Sequence, residues 1–162
     1  MLAKAYVSSQ FGCFLLTGSE LGLQSVRLTD QFPDPLPAIP VELHAAAKQL
    51  SEYFAGQRQT FDLEIDWSAA TDFNKGVWGE LLKIPYGHTT SYSAIAEKLD
   101  NPLAVRAVGL ANRNNPIAII VPCHRVIAKN GQLQGYFYGL DMKRALLELE
   151  NPNSFARQGS LF

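Results

Sequence analysis

A chain of 162 residues with 47% apolar residues is long enough for one ordinary domain or two small ones, and it needs no disulfide or metal staple to close a core. No apolar run approaches the roughly 20 residues of a membrane-spanning helix, and no basic stretch leads into an apolar one at the N-terminus, so a cytoplasmic protein without membrane contact is expected. The formal net charge of −1 hides a segregation: Met1 to Leu82 holds 5 Lys and Arg against 10 Asp and Glu, whereas Lys83 to Arg144 holds 8 against 3, so a basic half is available to face a polyanion.

In chain order, Ala5 to Ser8, Cys13 to Thr17 and Gly22 to Leu28 read as short strands of an antiparallel meander, separated by Gly12 and by Gly18-Ser19-Glu20. Pro33, Pro35, Pro37 and Pro40 make a loop. Pro40 suits the first turn of a helix that carries Leu43, Ala47, Leu50 and Phe54 at helical spacing and stops at Gly56. Thr60 to Ile65 alternates like one more strand. Asp66 to Thr71 then separates an N-terminal sheet-plus-helix domain, 1–68, from a second domain, 69–155, followed by a tail, 156–162.

The second domain opens with Asp72 as a candidate cap for a helix with Phe73, Val77, Trp78, Leu81 and Leu82 on one face, ended by Pro85-Tyr86-Gly87. Ser91 caps a short helix with Tyr92, Ile95, Ala96 and Leu99, and Asn101-Pro102 supplies a cap and an N-terminal proline for another, which suggests helix-turn-helix. That second helix sets Arg106 and Arg113 among Leu103, Ala104, Ala107, Val108 and Ala111, a slim surface suited to close approach to DNA. Ile117 to Val121 reads as a buried strand that ends at Pro122 and delivers the chain abruptly to Cys123. Asn130-Gly131 signals a tight turn, and Asp141 can cap a final helix through Glu150. The expected fold class is α/β in the α+β sense: an N-terminal antiparallel sheet with a helix, then a mostly helical, winged helix-turn-helix-like domain carrying the cysteine.

Cys13 and Cys123 are far apart and in dissimilar settings, which argues against a disulfide framework, and neither has the ligand company of a structural zinc. Cys13 fits a packed small hydrophobe; His44 and His88 fit surface or packing positions. Pro122-Cys123-His124-Arg125-Val126 is different. A thiol of ordinary pKa is only about 3% ionised at pH 7, so a nucleophilic cysteine needs an activating neighbour such as an imidazole braced by a carboxylate. Adjacent side chains on an extended chain diverge, so a relay through water suits Cys123 and His124 better than direct contact. Adjacency alone leaves open a buried structural cysteine beside a capping histidine.

The pentapeptide does not stand alone. Ile84-Pro85-Tyr86-Gly87, Ser91-Tyr92, Arg106-Ala107-Val108-Gly109, Asn115-Pro116, Gly135-Tyr136 and Lys143 followed by Leu146-Leu147 and Glu150 accompany it. In order and spacing, from about Phe73 to Glu150, the series resembles the O6-alkylguanine-DNA alkyltransferases (methylated-DNA–protein-cysteine methyltransferases). The resemblance implies a single-turnover DNA-repair enzyme that moves an alkyl group from O6-alkylguanine, and also from O4-alkylthymine, onto its own cysteine. It implies a monomer without cofactor or metal that binds double-stranded DNA through the minor groove and flips the damaged base.

Carried over by position, Cys123 is the alkyl acceptor, His124 the water-linked base, Glu150 the carboxylate that orients it, and Asn115 the brace of the turn before the active-site segment. Tyr92 donates a proton to the departing guanine, and Arg106 enters the stack in place of the extruded base. Ala107, Arg113 and Arg125 join Arg106 and Tyr92 in contacting DNA. The carbonyls of Cys123 and Val126 receive the guanine amino group, with Tyr136 and Phe137 on the loop that closes the pocket.

The chain departs from the family pattern where Phe137 and Tyr138 stand, since many members have a small residue in at least one of those places; a changed tolerance of bulky adducts is expected. The N-terminal half also lacks the Cys and His set that binds zinc in some relatives. Three other functions compete: a non-enzymatic alkyltransferase-like lesion binder, which would lack the acceptor cysteine; a winged-helix regulator, which would need base-reading side chains; and a cysteine hydrolase, which would turn over.

Overall fold

The computed structural model describes residues 2–153, so the tail that the sequence sets apart at 156–162 lies outside the described residues. The chain forms two compact units: Met1–Ser68 with Pro116–Ile120, and Ala69–Asn115 with the chain from Val121 on.

In the first unit β1 (Ala3–Ser9), β2 (Gly12–Ser19) and β3 (Gly22–Thr29) form an antiparallel sheet in that order. Alternation buries Ala5, Val7, Phe14 and Leu16, and α1 (His44–Phe54) brings Ala47, Leu50, Tyr53 and Phe54 to the same core. Phe14 stacks on Phe54 at 5.4 Å between ring centres. A 3-10 turn over Val41–Leu43, entered through Pro40, precedes α1, as a fixed proline φ allows.

Two expected strands shrink to single bridges. Thr60 to Ile65 pairs only at Ile65, with Leu23; the Gln49 carboxamide takes both backbone groups of Asp62, at 2.9 and 3.1 Å, and so removes that residue from any ladder. Ile117 pairs with Val26, and then the chain reverses at Ile119, whose φ of +72° closes a three-residue turn from Ile120 N–H to the Ala118 carbonyl. That conformation is rare for a β-branched residue. The apolar run is buried, as expected, but it is a bridge and a turn, not a strand.

In the second unit α2 (Asp72–Leu81) is capped by Thr71, whose hydroxyl accepts from Asn74 N–H; Asp72 lies inside the first turn. Ser91 caps α3 (Tyr92–Lys98) through Ala94 N–H. Asn101 and Pro102 belong to a turn closed by Ala104 N–H on the Asn101 carbonyl, which delays α4 (Val105–Arg113). A proline suits the second position of such a turn as well as the first of a helix. Trp78 Nε1 donates to the Ala111 carbonyl at 2.9 Å and ties α2 to α4.

The last helix, α5 (Leu140–Glu150), starts from Gly139 at φ +97°, with Asp141 in its first turn rather than at the cap. Lys143, Leu146, Leu147 and Glu150 share its buried face. Two short strands, β4 (Thr90–Ser91) and β5 (Val126–Ile127), pair in parallel. They fix the start of the Tyr92 helix against the chain that leaves Cys123-His124-Arg125. No helix among the described residues is long and apolar enough to cross a membrane.

Candidate active site

Pro122 shapes the nucleophile's position. At φ −82° and ψ 65° it forms an inverse γ-turn closed by Cys123 N–H on the Val121 carbonyl at 2.8 Å, a geometry the proline ring accepts without strain. Cys123–Arg125 then make one 3-10 turn and all three are buried. Asn115 Nδ2 donates to the Val121 carbonyl at 2.8 Å and bonds the Cys123 thiol, while Asn112 Nδ2 reaches the Cys123 carbonyl at 3.3 Å. The thiol is thus held from α4 and the turn that follows it.

His124 has no exposed surface, and its Nε2 lies 2.6 Å from Glu150 Oε2. Arg125 grips the same carboxylate from Nε at 2.7 Å and Nη2 at 3.1 Å, and its Nη1 donates to the Ile84 carbonyl at 2.7 Å. Burial alone would push the Glu150 carboxyl up, but the charge His124 carries when protonated, the hydrogen bonds from His124 and Arg125 and the Arg125 charge outweigh it and hold the acid well below the ordinary range. An ionised Glu150 can only accept, so the proton of a neutral His124 ring sits on Nε2 and Nδ1 is left as an acceptor. Nδ1 is buried without a hydrogen-bond partner among the described residues.

Burial lowers the basicity of His124 against the pull of Glu150, and it raises the Cys123 thiol against Asn115 and the Lys143 charge. Both shifts disfavour the charged forms, so the resting pair is neutral thiol and neutral imidazole.

Cys123 opens onto a mostly apolar cavity of about 310 Å³ lined also by Tyr92, Gly109, Asn112, Arg113, Asn115 and residues 134–138. The Tyr92 hydroxyl donates to the Gln134 carbonyl at 2.8 Å. Burial, and then the charge of a Cys123 thiolate, keep that hydroxyl protonated. Lys143 is fully buried; its Nζ donates to the carbonyls of Gln134 and Gly135 at 2.9 and 3.0 Å and lies 5.9 Å from the Tyr92 ring centre. Its pKa is pushed down to about 8 by burial, with the thiolate opposing.

Two models of one family, both described as 6-O-methylguanine DNA methyltransferase, match the chain: the ribonuclease-like domain over 2–67 and the DNA binding domain over 72–152. The chain belongs to this family. A methylated-DNA–protein-cysteine methyltransferase of Methanosarcina acetivorans is 47% identical over 151 residues, which cover 90% of this chain and 96% of that protein. One from Mycobacterium tuberculosis is 48% identical over 93% of each. The crystal structure of the Mycobacterium tuberculosis O6-methylguanine methyltransferase superposes with a TM-score of 0.83 at 45% identity, covering 97% of both chains. That of Mycobacterium tuberculosis OGT in complex with DNA gives 0.81 at 48% identity over 91% of both.

Within this member of the family, Cys123, His124, Glu150, Tyr92, Asn115 and Tyr136 are gathered at or just behind the cavity wall. Phe137 is exposed at the cavity, with the Arg113 guanidinium 5.9 Å from its ring centre. Arg106, Ala107 and Arg113 are exposed along α4 together with Leu110, and Leu103 is exposed in the turn before it. Val126 is buried in β5 and absent from the cavity lining.

Arg125 corrects an expectation. Its guanidinium is buried, bonded to Glu150 and the Ile84 carbonyl and set over the face of Tyr86, so it does not present itself to phosphate. Sequence reasoning assigned no role to Lys143 or Asn112. The signal for Lys143 was present: it occupies the stripe shared by Leu146, Leu147 and Glu150, where a lysine is out of place unless partnered.

Proposed function

We propose that the protein repairs O6-alkylguanine in DNA by moving the alkyl group to Cys123, each chain acting once. The observation that carries this reading is a buried cysteine on the wall of an apolar cavity, followed directly by an imidazole whose far nitrogen is held by an ionised carboxylate. The thiol proton passes to His124 Nδ1, and the imidazolium gains from Glu150 what burial denies it. The thiolate attacks the alkyl carbon in line: an S–C bond forms, the C–O6 bond breaks, and its electron pair stays on guanine O6.

Tyr92 donates its proton toward the departing base. In the unliganded arrangement its hydroxyl serves the Gln134 carbonyl, which Lys143 also serves, so Tyr92 can change partner without stranding that carbonyl. Asn115 keeps the thiol and the Val121 carbonyl in register. The carbonyls of Cys123 and Val126 would take the guanine amino group, and Tyr136 and Phe137 would flank the adduct.

A base still stacked in a duplex cannot reach such a cavity, so the lesion must be flipped, at a cost of a few kcal/mol. Arg106, exposed on α4, would fill the vacated stack from the minor groove, where unstacking side chains usually enter. Ala107 keeps the helix slim there, and Arg113 stands at the cavity rim. One chain supplies every group, so a monomer suffices. The product is a thioether that nothing in the site cleaves.

Incubation with duplex DNA carrying labelled O6-methylguanine tests the reading. Label should reach the peptide containing Cys123 at one equivalent per chain, and Cys123→Ser should take none. Binding without transfer, or continued release of label, would point to a lesion binder or a hydrolase instead.

A further inference from the structure

Tyr136 is buried at the cavity wall, and its hydroxyl has no hydrogen-bond partner among the described residues. His124 Nδ1, the acceptor left by the Nε2–Glu150 bond, is orphaned as well. A buried polar group without a partner costs about 1–3 kcal/mol; Asn112 Oδ1 is a third such group at this cavity, but only the hydroxyl and the ring nitrogen can hold or pass a proton, so these two call for a common explanation. Neither bonds the sulfur directly, yet Tyr136 and Cys123 line the same cavity, and His124 follows Cys123 in one buried 3-10 turn. Both orphaned groups therefore belong to the wall that carries the thiol.

Resting on the alkyl-transfer reading of Cys123, we infer that the Tyr136 hydroxyl is a positioning residue of the proton relay, the third fixed partner of one water shared with Cys123 Sγ and His124 Nδ1. A buried water needs two to four polar partners, and these three meet the need. Before transfer the water accepts from the thiol S–H and from the Tyr136 O–H, and it donates to Nδ1. The S–H bond then breaks as a proton joins the water, while one of the water's own protons passes to Nδ1. Water is regenerated, now donating to the thiolate and accepting from Nδ1–H, and Tyr136 donates to the same oxygen throughout. Tyr136 never ionises. Burial, and then the neighbouring charges of Cys123, Tyr138 and Glu150, hold its proton on.

Tyr136→Phe removes the hydroxyl and keeps the ring. The test reads the pH dependence of Cys123 alkylation by iodoacetamide without DNA, followed by mapping of the Cys123 peptide. Tyr92, Lys143, Asn115 and the His124–Glu150–Arg125 cluster face this site and are unchanged in the variant. The expected result is a rise of about one unit in the apparent thiol pKa, a tenfold slower reaction at neutral pH. Replacing Tyr136 by 3-fluorotyrosine, a stronger donor, should move the profile the opposite way; it serves as the test should Tyr136→Phe fail to fold. Profiles that coincide with the unmodified protein overturn the inference, and so does slower transfer from DNA with an unchanged iodoacetamide profile. Failure of the unmodified protein to take label from methylated DNA would instead overturn the function itself, a separate outcome.

Discussion

Arg125 shows how a charge is committed once burial is known. Its bidentate bond to Glu150, its bond to the Ile84 carbonyl and its burial turn the guanidinium away from solvent and phosphate. Removing it would strand a buried carboxylate, a change worth about 3–5 kcal/mol. Arg125→Met should therefore lose stability on that scale in urea unfolding, while the salt slope of DNA binding stays as it was. Arg113→Ala should do the reverse, with stability nearly unchanged and the slope smaller by about one. A reduced slope for Arg125→Met would restore that residue to the DNA face. In the sequence, Cys123, His124 and Glu150 were legible as a set because separate motifs fell in register. The consumption of Arg125 was not, since nothing in a linear pattern says that the arginine after the histidine turns inward with it.

At the scale of elements the apolar periodicities and cap signals locate the α-helices of the described residues, and the misreadings cluster at helix starts and at strands. A cap is decided by one backbone conformation. Thr71 is extended at φ −70° and ψ 157° and accepts from Asn74, whereas Asp72 already lies within the helix. Both residue types cap well, so composition alone could not choose. Thr71→Ala should cost about 1 kcal/mol in chemical unfolding, and Asp72→Ala only the few tenths expected of an acid in a first turn. Equal losses would mean that the helix starts one residue later. Thr60 to Ile65 failed as a strand, and no alternation pattern contains the capture of the Asp62 backbone by Gln49.

The loop between the Asn130-Gly131 turn and α5 carries the Phe137-Tyr138 pair. Phe137 meets Tyr138 edge-on at 5.0 Å and 79°, and Tyr138 meets Tyr136 at 5.7 Å and 72°, so three aromatic rings wall one side of the cavity. Hydrophobic walls discriminate by roughly 10–200-fold for small changes in shape. Phe137→Ser and Tyr138→Gly should each change the ratio of benzylguanine to methylguanine transfer rates by about tenfold. An unaltered ratio would mean that the adduct never meets this wall.

For the molecule as a whole, the buried ionisable groups set how stability depends on pH. Glu150 titrates below its ordinary 4.5 in the folded state, so the unfolded chain binds more protons as the pH falls through that value, and stability is lost there. His124 has the same sign: its folded basicity lies below the ordinary 6.5, so folding is opposed as the pH drops beneath 6.5. Above neutrality the shifts oppose each other. Between about 8 and 10.5 the depressed Lys143 makes stability rise with pH, while the raised Cys123 makes it fall above the ordinary thiol value of 9.0. The expected curve has a steep acid limb beginning near pH 6.5 and a shallow alkaline one. Thermal unfolding of a Trp67→Phe variant, leaving Trp78 as the fluorescent reporter in the unit that holds these groups, measures it directly. Glu150→Gln should lower the plateau and flatten the acid limb. An acid limb of unchanged depth in that variant would place the sensitivity elsewhere, Asp66 being the alternative, since its bonds to Ser68 and Gln24 also hold it low.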